Sequence, residues 1–179
     1  MAFYESPSIE RRSQTFGLPR GPGMAGARAA AGRHTGPMST QGKALVQRLV
    51  SEVINAGRTD VLDELCTPRL ARGLRTAFGS FRSSFPDWHQ EIVELVAEGD
   101  TVVARMRCGG TQRGEWLGEE ATGRAMDIDE VFFFRLRGDR LDRMWGIEDT
   151  WTRLGQLFGA ERAGELARAG APDLDDPAG

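Results

Sequence analysis

The sequence predicts an α+β domain in which helices come first and antiparallel strands follow. Three observations carry that prediction. Apolar residues recur at helical spacing up to Pro86 and stop there. Two-residue alternation then takes over in successive segments. Tight-turn signals, Glu98-Gly99-Asp100 and Gly138-Asp139, separate those segments at hairpin spacing.

The first helix follows from Leu45, Leu49, Val50, Val53 and Ile54, and Asn55 with Gly57 gives its stop. Asp60 is placed to cap a short second helix running to about Leu65. Leu70, Leu74, Phe78, Phe81 and Phe85 recur mostly every four residues, so a third helix carries an aromatic stripe. Pro86 and Asp87 break it. Trp88–Ala97 reads as a strand, and Thr101–Cys108 as a half-buried one that could continue to Gln112. Arg124–Leu136 is the longest strand, followed by Arg140–Ile147. A last helix, Thr150–Phe158, has Asp149 or Thr150 as its cap. A sheet of this kind must bury its apolar face, and the early helices are the available cover. The helix-three stripe (Phe78, Phe81) and the Phe132/Phe134 strand face then enclose a small-molecule pocket, the alternative being a solid core without a cavity.

Residues 41–159 form this domain. Residues 1–37 are rich in Gly, Pro, Ala, Arg and Ser without sustained periodicity and read as disordered. Met38 opens a conventional start, so the arm reads as an upstream extension of the reading frame, the alternative being a targeting peptide interrupted by Glu5 and Glu10. Residues 160–179 end in PDLDDPAG and read as a mobile acidic tail. The 179 residues carry a formal net charge of -3, with 40% hydrophobic and 27% charged residues. That balance argues against nucleic acid as the partner. No apolar run approaches a bilayer span. With no secretory signal pattern, the expected location is cytoplasmic. The two cysteines, Cys66 and Cys108, read as buried thiols. They and the two histidines are too scattered for a zinc set.

Within RAMDIDEVFFFRL, one strand face holds Met126, Ile128, Glu130, Phe132, Phe134 and Leu136. Glu130 is its single carboxylate. Burial among aromatic side chains raises a carboxyl pKa, which suits a general acid or base. The alternative is that Glu130 reaches water or an arginine. On the first strand, Gln90, between Trp88 and Ile92, is the candidate donor to a substrate carbonyl or enolate, with His89 and Glu91 at the alternate positions. Trp116 sits in a connection near the pocket mouth. Asp149 reaches the pocket rim if Trp145 and Ile147 share its face, and otherwise caps the last helix. A bulge at Gly146 would instead turn Glu148 inward. Val131 and Phe133 make an apolar patch on the opposite face, which predicts a homodimer through the outer sheet surface.

Three stretches carry a family resemblance: KALVQRLVSEVINAGRTDVLDEL (43–65), FRSSFPDWHQEIVELVAEGDTVVARMRCGGT (81–111) and TQRGEWLGEEATGR with FFFRLRGDRLDRMWGIEDTWTRLGQLFG (111–124 and 132–159). They resemble the SnoaL-like polyketide cyclases. The resemblance implies the cone-shaped α+β barrel shared with ketosteroid isomerase and scytalone dehydratase. It also implies ring closure by an intramolecular aldol reaction, using acid/base residues and neither metal nor cofactor. The family's last-strand histidine and aspartate fall on Met144 and Gly146, and a second pocket acid or histidine falls on Phe132. The family's Pro-Pro reads Glu120-Ala121, and the connection at Cys66-Thr67-Pro68 is short. Two readings follow. One is a cofactor-independent acid/base enzyme of secondary metabolism, a cyclase, isomerase, dehydratase or epoxide-opening enzyme. Its catalytic residues are Glu130 and Asp149, and its hydrophobic substrate is held by Gln90, Trp88, Trp116 and the pocket aromatics. The other is a binding module of the same fold that has lost its catalytic residues.

Overall fold

The computed structural model describes residues 37–169. The expected disordered arm and the end of the expected acidic tail lie outside them, except for Pro37 and residues 160–169. The order is α1 (Pro37–Arg48), a π-helical turn (Leu49–Asn55), a 3-10 turn (Thr59–Val61), α2 (Leu62–Leu65) and α3 (Pro68–Ser84). Four strands follow: β1 (His89–Glu98), β2 (Thr101–Thr111), β3 (Ala125–Arg137) and β4 (Arg140–Glu148). Two helices, α4 (Thr150–Phe158) and α5 (Ala160–Ala169), close the described chain. The strands form one antiparallel sheet in the order β1-β2-β3-β4. This is the α+β architecture expected from the change of period at Pro86.

The π turn lets Leu49, Val50, Val53 and Ile54 all face the core before the chain leaves the helix. Two devices satisfy its end. The Arg82 guanidinium donates to the Ile54 carbonyl. Asn55 pins β1 through its side chain, with Nδ2 donating to the Gln90 carbonyl at 2.9 Å and Oδ1 accepting from Gln90 N at 2.8 Å. The expected capping role of Asp60 is not found. It lies inside the 3-10 turn, where its carboxylate meets Arg58 at 3.3 Å. Pro68 opens α3, where a missing N–H costs nothing.

The core joins Val46 of α1, Leu49 and Val53 of the π-helical turn and Leu62 and Leu65 of α2 to the inner sheet residues Val102, Ala104, Met106, Phe134 and Leu136. At Gly42 an added Cβ would lie 2.7 Å from Val102 Cγ2, so this helix can approach the sheet only with glycine there. The hairpin end of the molecule is thus solid. At the other end α3, α4 and the β2–β3 connection stand away from the sheet and leave a cavity.

Two boundaries differ from expectation. Residues 160–169 form α5 and not a mobile tail. The Arg162 guanidinium on that helix pairs with Glu119 of the β2–β3 connection. The bulge in β4 lies between the Arg135–Arg143 and Leu136–Leu141 pairs and not at Gly146. It leaves Asp142 without a cross-strand pair and resets the alternation, so Met144, Gly146 and Glu148 all face inward with Glu130 and Phe132.

Candidate functional site

A cavity of about 360 Å³ opens between α3, the sheet and the β2–β3 connection. Its walls are aromatic. Phe78 and Phe81 of α3 meet Trp88 at ring-centroid distances of 5.3 and 4.8 Å. Trp116 stands edge-on to Phe81 and Phe85 and stacks on Phe158 at 6.1 Å. Leu117 and Gly118 make a two-residue turn, both with positive φ (57° and 78°). Leu117 takes this strained conformation at the cavity mouth, where it lines the opening and is 47% exposed.

The floor is polar and almost dry. Cross-strand pairing puts Glu130 of β3 directly opposite Glu148 of β4. Arg153, one turn into α4, reaches between them. Its Nη2 donates to Glu130 Oε1, and its Nη1 meets Glu148 Oε2 at 2.5 Å. The three side chains are 5%, 7% and 2% exposed. The second oxygen of Glu130 accepts from Gln90 Nε2 at 2.9 Å and from the Cys108 thiol at 2.6 Å. The second oxygen of Glu148 accepts from Thr150 Oγ1 at 3.0 Å. The guanidinium also lies 5.8 Å from the Phe81 ring centroid and 5.6 Å from that of Trp116, so the aromatic wall and the charged floor meet at Arg153.

Burial shifts the titration of Glu148 and Cys108. It lifts the Glu148 carboxyl above its ordinary range. Arg153 pulls the other way, and the neighbouring Glu130 charge adds to the lift. Burial, then Glu130, pushes the Cys108 thiol up, which keeps it protonated as a donor. Cys66, buried elsewhere in the core, is pushed up to about 12. Both cysteines are free thiols.

Most of the residues singled out from the sequence meet here: Glu130, Gln90, Trp88, Phe132, Met144, Trp116, Phe78 and Phe81 all line the cavity. Two do not. Phe134 is fully buried in the solid core. Asp149 lies outside the cavity, exposed at the start of α4, and accepts from Thr152 N at 3.0 Å. The hydrogen bonds from Thr152 hold its carboxyl below the usual range, as suits the N-cap of α4. Its strand neighbours Trp145 and Ile147 face solvent, which is why it misses the rim.

Glu130 faces inward and reaches an arginine, the second of the two readings of its strand position. Gln90 Nε2 gives one of its two N–H groups to Glu130, which ties Gln90 into the floor network as well as the cavity lining. Arg153 itself was missed. Its signal was a charged residue four positions before Leu157, on the face of α4 that is otherwise apolar. Glu148 was weighed only as the consequence of a bulge at Gly146.

Gly146 has a different reason. An added Cβ would lie 2.5 Å from Phe132 Cδ1, so the Phe132 ring covers the glycine. Of the three positions at which the resembling cyclases carry polar groups, 132 and 146 are here filled by one ring over one hydrogen, and 144 by Met144. Among the described residues no three His, Cys, Asp or Glu side chains gather as a metal-ligand set. No described helix is long and apolar enough to cross a membrane.

Fold and site together define a small α+β domain whose sheet encloses an aromatic cavity with an ionisable floor. The sequence matches the family model of the SnoaL-like polyketide cyclases over residues 44–157, and the chain belongs to that family. Solved structures agree. A protein from Jannaschia sp. CCS1, provisionally assigned as a SnoaL-like polyketide cyclase, is 25% identical with a TM-score of 0.66, over 70% of this chain and 97% of that one. TsrD from Streptomyces laurentii is 26% identical with a TM-score of 0.62, over 69% and 98%. IdmH from Streptomyces antibioticus, provisionally assigned as a polyketide cyclase, is 25% identical with a TM-score of 0.58, over 65% and 97%. A search of curated proteins gave no significant match.

Proposed function

We propose that this chain is a cofactor-independent acid/base enzyme acting on a hydrophobic, polyketide-like small molecule, in the cyclase, isomerase, dehydratase or epoxide-opening class. One observation carries the reading: two carboxylates and one arginine, each more than nine-tenths buried, sit at the floor of an aromatic-walled cavity. Burying three charges is costly, and their place beside a ligand-sized space gives that cost a use. Phe78, Phe81, Trp88, Trp116, Phe132 and Met144 supply apolar contact to a flat substrate. The floor moves protons.

A panel of aromatic polyketide methyl esters, followed by mass detection, tests this. A product of unchanged mass marks cyclisation or isomerisation, loss of water marks dehydration, and gain of water marks epoxide opening. Ligands that bind without conversion favour the binding-module reading. The observation on its side is that Phe132, Met144 and Gly146 line the cavity where the cyclase pattern has acid/base groups.

The chain also pairs as a homodimer in this reading. Val96, Trp145 and Ile147 on the outer sheet face are 63%, 46% and 65% exposed, and Phe133 stacks on Trp145 at 5.0 Å. Sedimentation at micromolar concentration should give the dimer mass. A monomer alone would refute the pairing.

A further inference from the structure

We infer that Glu148 is the catalytic residue that removes and returns the proton at the cavity floor, with Glu130 and Arg153 as its positioning groups. The inference rests on the proton-transfer reading above and assigns its parts. The two glutamates are cross-strand partners on one arginine, but their surroundings differ. Both oxygens of Glu130 are committed: Oε1 to Arg153, and Oε2 to Gln90 and the Cys108 thiol. A carboxylate held by three side-chain donors cannot turn toward a ligand without leaving those donors unpaired in a dry floor. Glu148 has one charged partner and one hydroxyl. Its Oε1 accepts only from Thr150, whose hydroxyl can rotate to another acceptor.

Glu148 also sits at the end of the last strand, beside Gly146, on which no side chain stands. The Phe132 ring over that glycine gives a flat platform next to the carboxylate. The groups facing Glu148 are Glu130 from β3 and Arg153 and Thr150 from α4. Gln90 of β1 and Cys108 of β2 lie behind Glu130. From α3 the cavity receives only Thr76, Ser80 and Ser84 as polar residues, and Glu115 lies in the wall. Arg153 is thus the one cation at this floor among the described residues lining the cavity. It serves both carboxylates, which leaves Glu148 less fully neutralised than a private ion pair would.

In the cyclase form of the reaction, Glu148 takes a proton from a carbon flanked by carbonyls. The resulting enolate carbon attacks a second carbonyl carbon of the same substrate, forming one C–C bond. The alkoxide so made takes the proton back from Glu148. Nothing is oxidised or reduced, and no co-reactant is consumed.

A substrate-independent probe of the same step is 5-nitrobenzisoxazole, a flat aromatic of suitable size. Removal of its ring C–H proton forms a nitrile as the N–O bond breaks, and releases a coloured cyanonitrophenolate. The parent chain should accelerate this ring opening, with a rate that rises through a single ionisation displaced above that of free glutamate. Glu148→Gln should stay folded, lower the rate by about 10²-fold or more, and lose that ionisation from the pH profile. Glu130→Gln should lower both rate and thermal midpoint but keep the ionisation in whatever rate is left. An unchanged pH profile in folded Glu148→Gln would overturn the assignment even if Glu130→Gln fails to fold. Acceleration that disappears only with Glu130 would return the proton to Glu130 while sparing the enzyme reading. A parent chain that binds the probe without accelerating it would sink both.

Discussion

Strand β3 carries acidic residues on both faces, and the two faces use them in opposite ways. Asp127 points outward and pairs with Arg107 at 2.5 Å, with side chains 53% and 62% exposed. Glu130 points inward and pairs with Arg153, with side chains 5% and 2% exposed. Both are carboxylate–guanidinium pairs, and both geometries are close. The difference is water. On the outer face solvent screens the charges, and either partner can be lost to hydration without penalty. On the inner face each charge depends on the others, because the alternative is an unpaired ion in a low dielectric. Proximity in a pair therefore says little about its worth, and burial says most of it.

The largest expected effect comes from removing the shared cation. Arg153→Met keeps the unbranched stem and leaves Glu130 and Glu148 facing each other without a counter-charge. Urea unfolding at neutral pH should show a loss of about 3–5 kcal/mol, the scale of breaking one partner of a buried ion pair. Replacing both glutamates by leucine in the same background should recover much of it, since the floor is then apolar throughout. A single variant within about 1 kcal/mol of the parent would mean that water reaches this floor as it reaches the outer face.

A smaller effect of opposite sign is expected at Glu148. Burial raises its carboxyl in the folded chain, so the folded state holds that proton more tightly than the unfolded one. The corresponding stability is fully present below the unfolded value of ~4.3. It is lost as pH rises through the folded value. Glu148→Gln is neutral throughout, so its urea midpoint should match the parent's at low pH and exceed it increasingly toward neutral pH. A variant that falls below the parent as pH rises would show that attraction to Arg153 outweighs burial. Smaller again is the cap. Asp149→Ala removes the acceptor of Thr152 N and should lower stability by about 1 kcal/mol, read from the same urea midpoints.

The sequence made one half of this contrast legible. Alternation along β3 sorted Glu130 from Asp127 and Asp129 correctly, because a strand's period is fixed by covalent geometry. It sorted β4 less well. The bulge at Asp142 shifts the parity of everything after it, and no residue there is a glycine or other obvious marker. Glu148 consequently faces the cavity and Asp149 lies outside it, the arrangement a bulge was expected to produce, although the bulge sits at Asp142 and not at Gly146. Phe134 was taken as a cavity residue because it shares a face with Phe132. Period gives the face, but not the depth along the strand at which the helices part from it. Arg153 was hidden for another reason. A helix arginine reads as solvated unless its partners are known, and those partners lie on strands 5 and 23 residues away in sequence. The α5 helix was passed over because its composition merges into the acidic tail that follows.

The smallest effect is expected on the outer face, and it decides whether the comparison holds. Arg107 donates through Nε and Nη2 to both oxygens of Asp127, at 2.7 and 2.5 Å, which is the bidentate geometry that favours a strong pair. If geometry set the value of an ion pair, Arg107→Leu would be as damaging as Arg153→Met. Because the pair stands in water, Arg107→Leu should leave the urea midpoint near the parent's, and added salt should reduce even that small difference. The apolar stripe of Val131, Phe133 and Trp145 shares this outer face, so the measurement belongs in dilute protein, where pairing between copies cannot shelter the charges. A large loss at low concentration, insensitive to salt, would show that this face is drier than its exposure indicates, and the contrast between the two sides of β3 would fail.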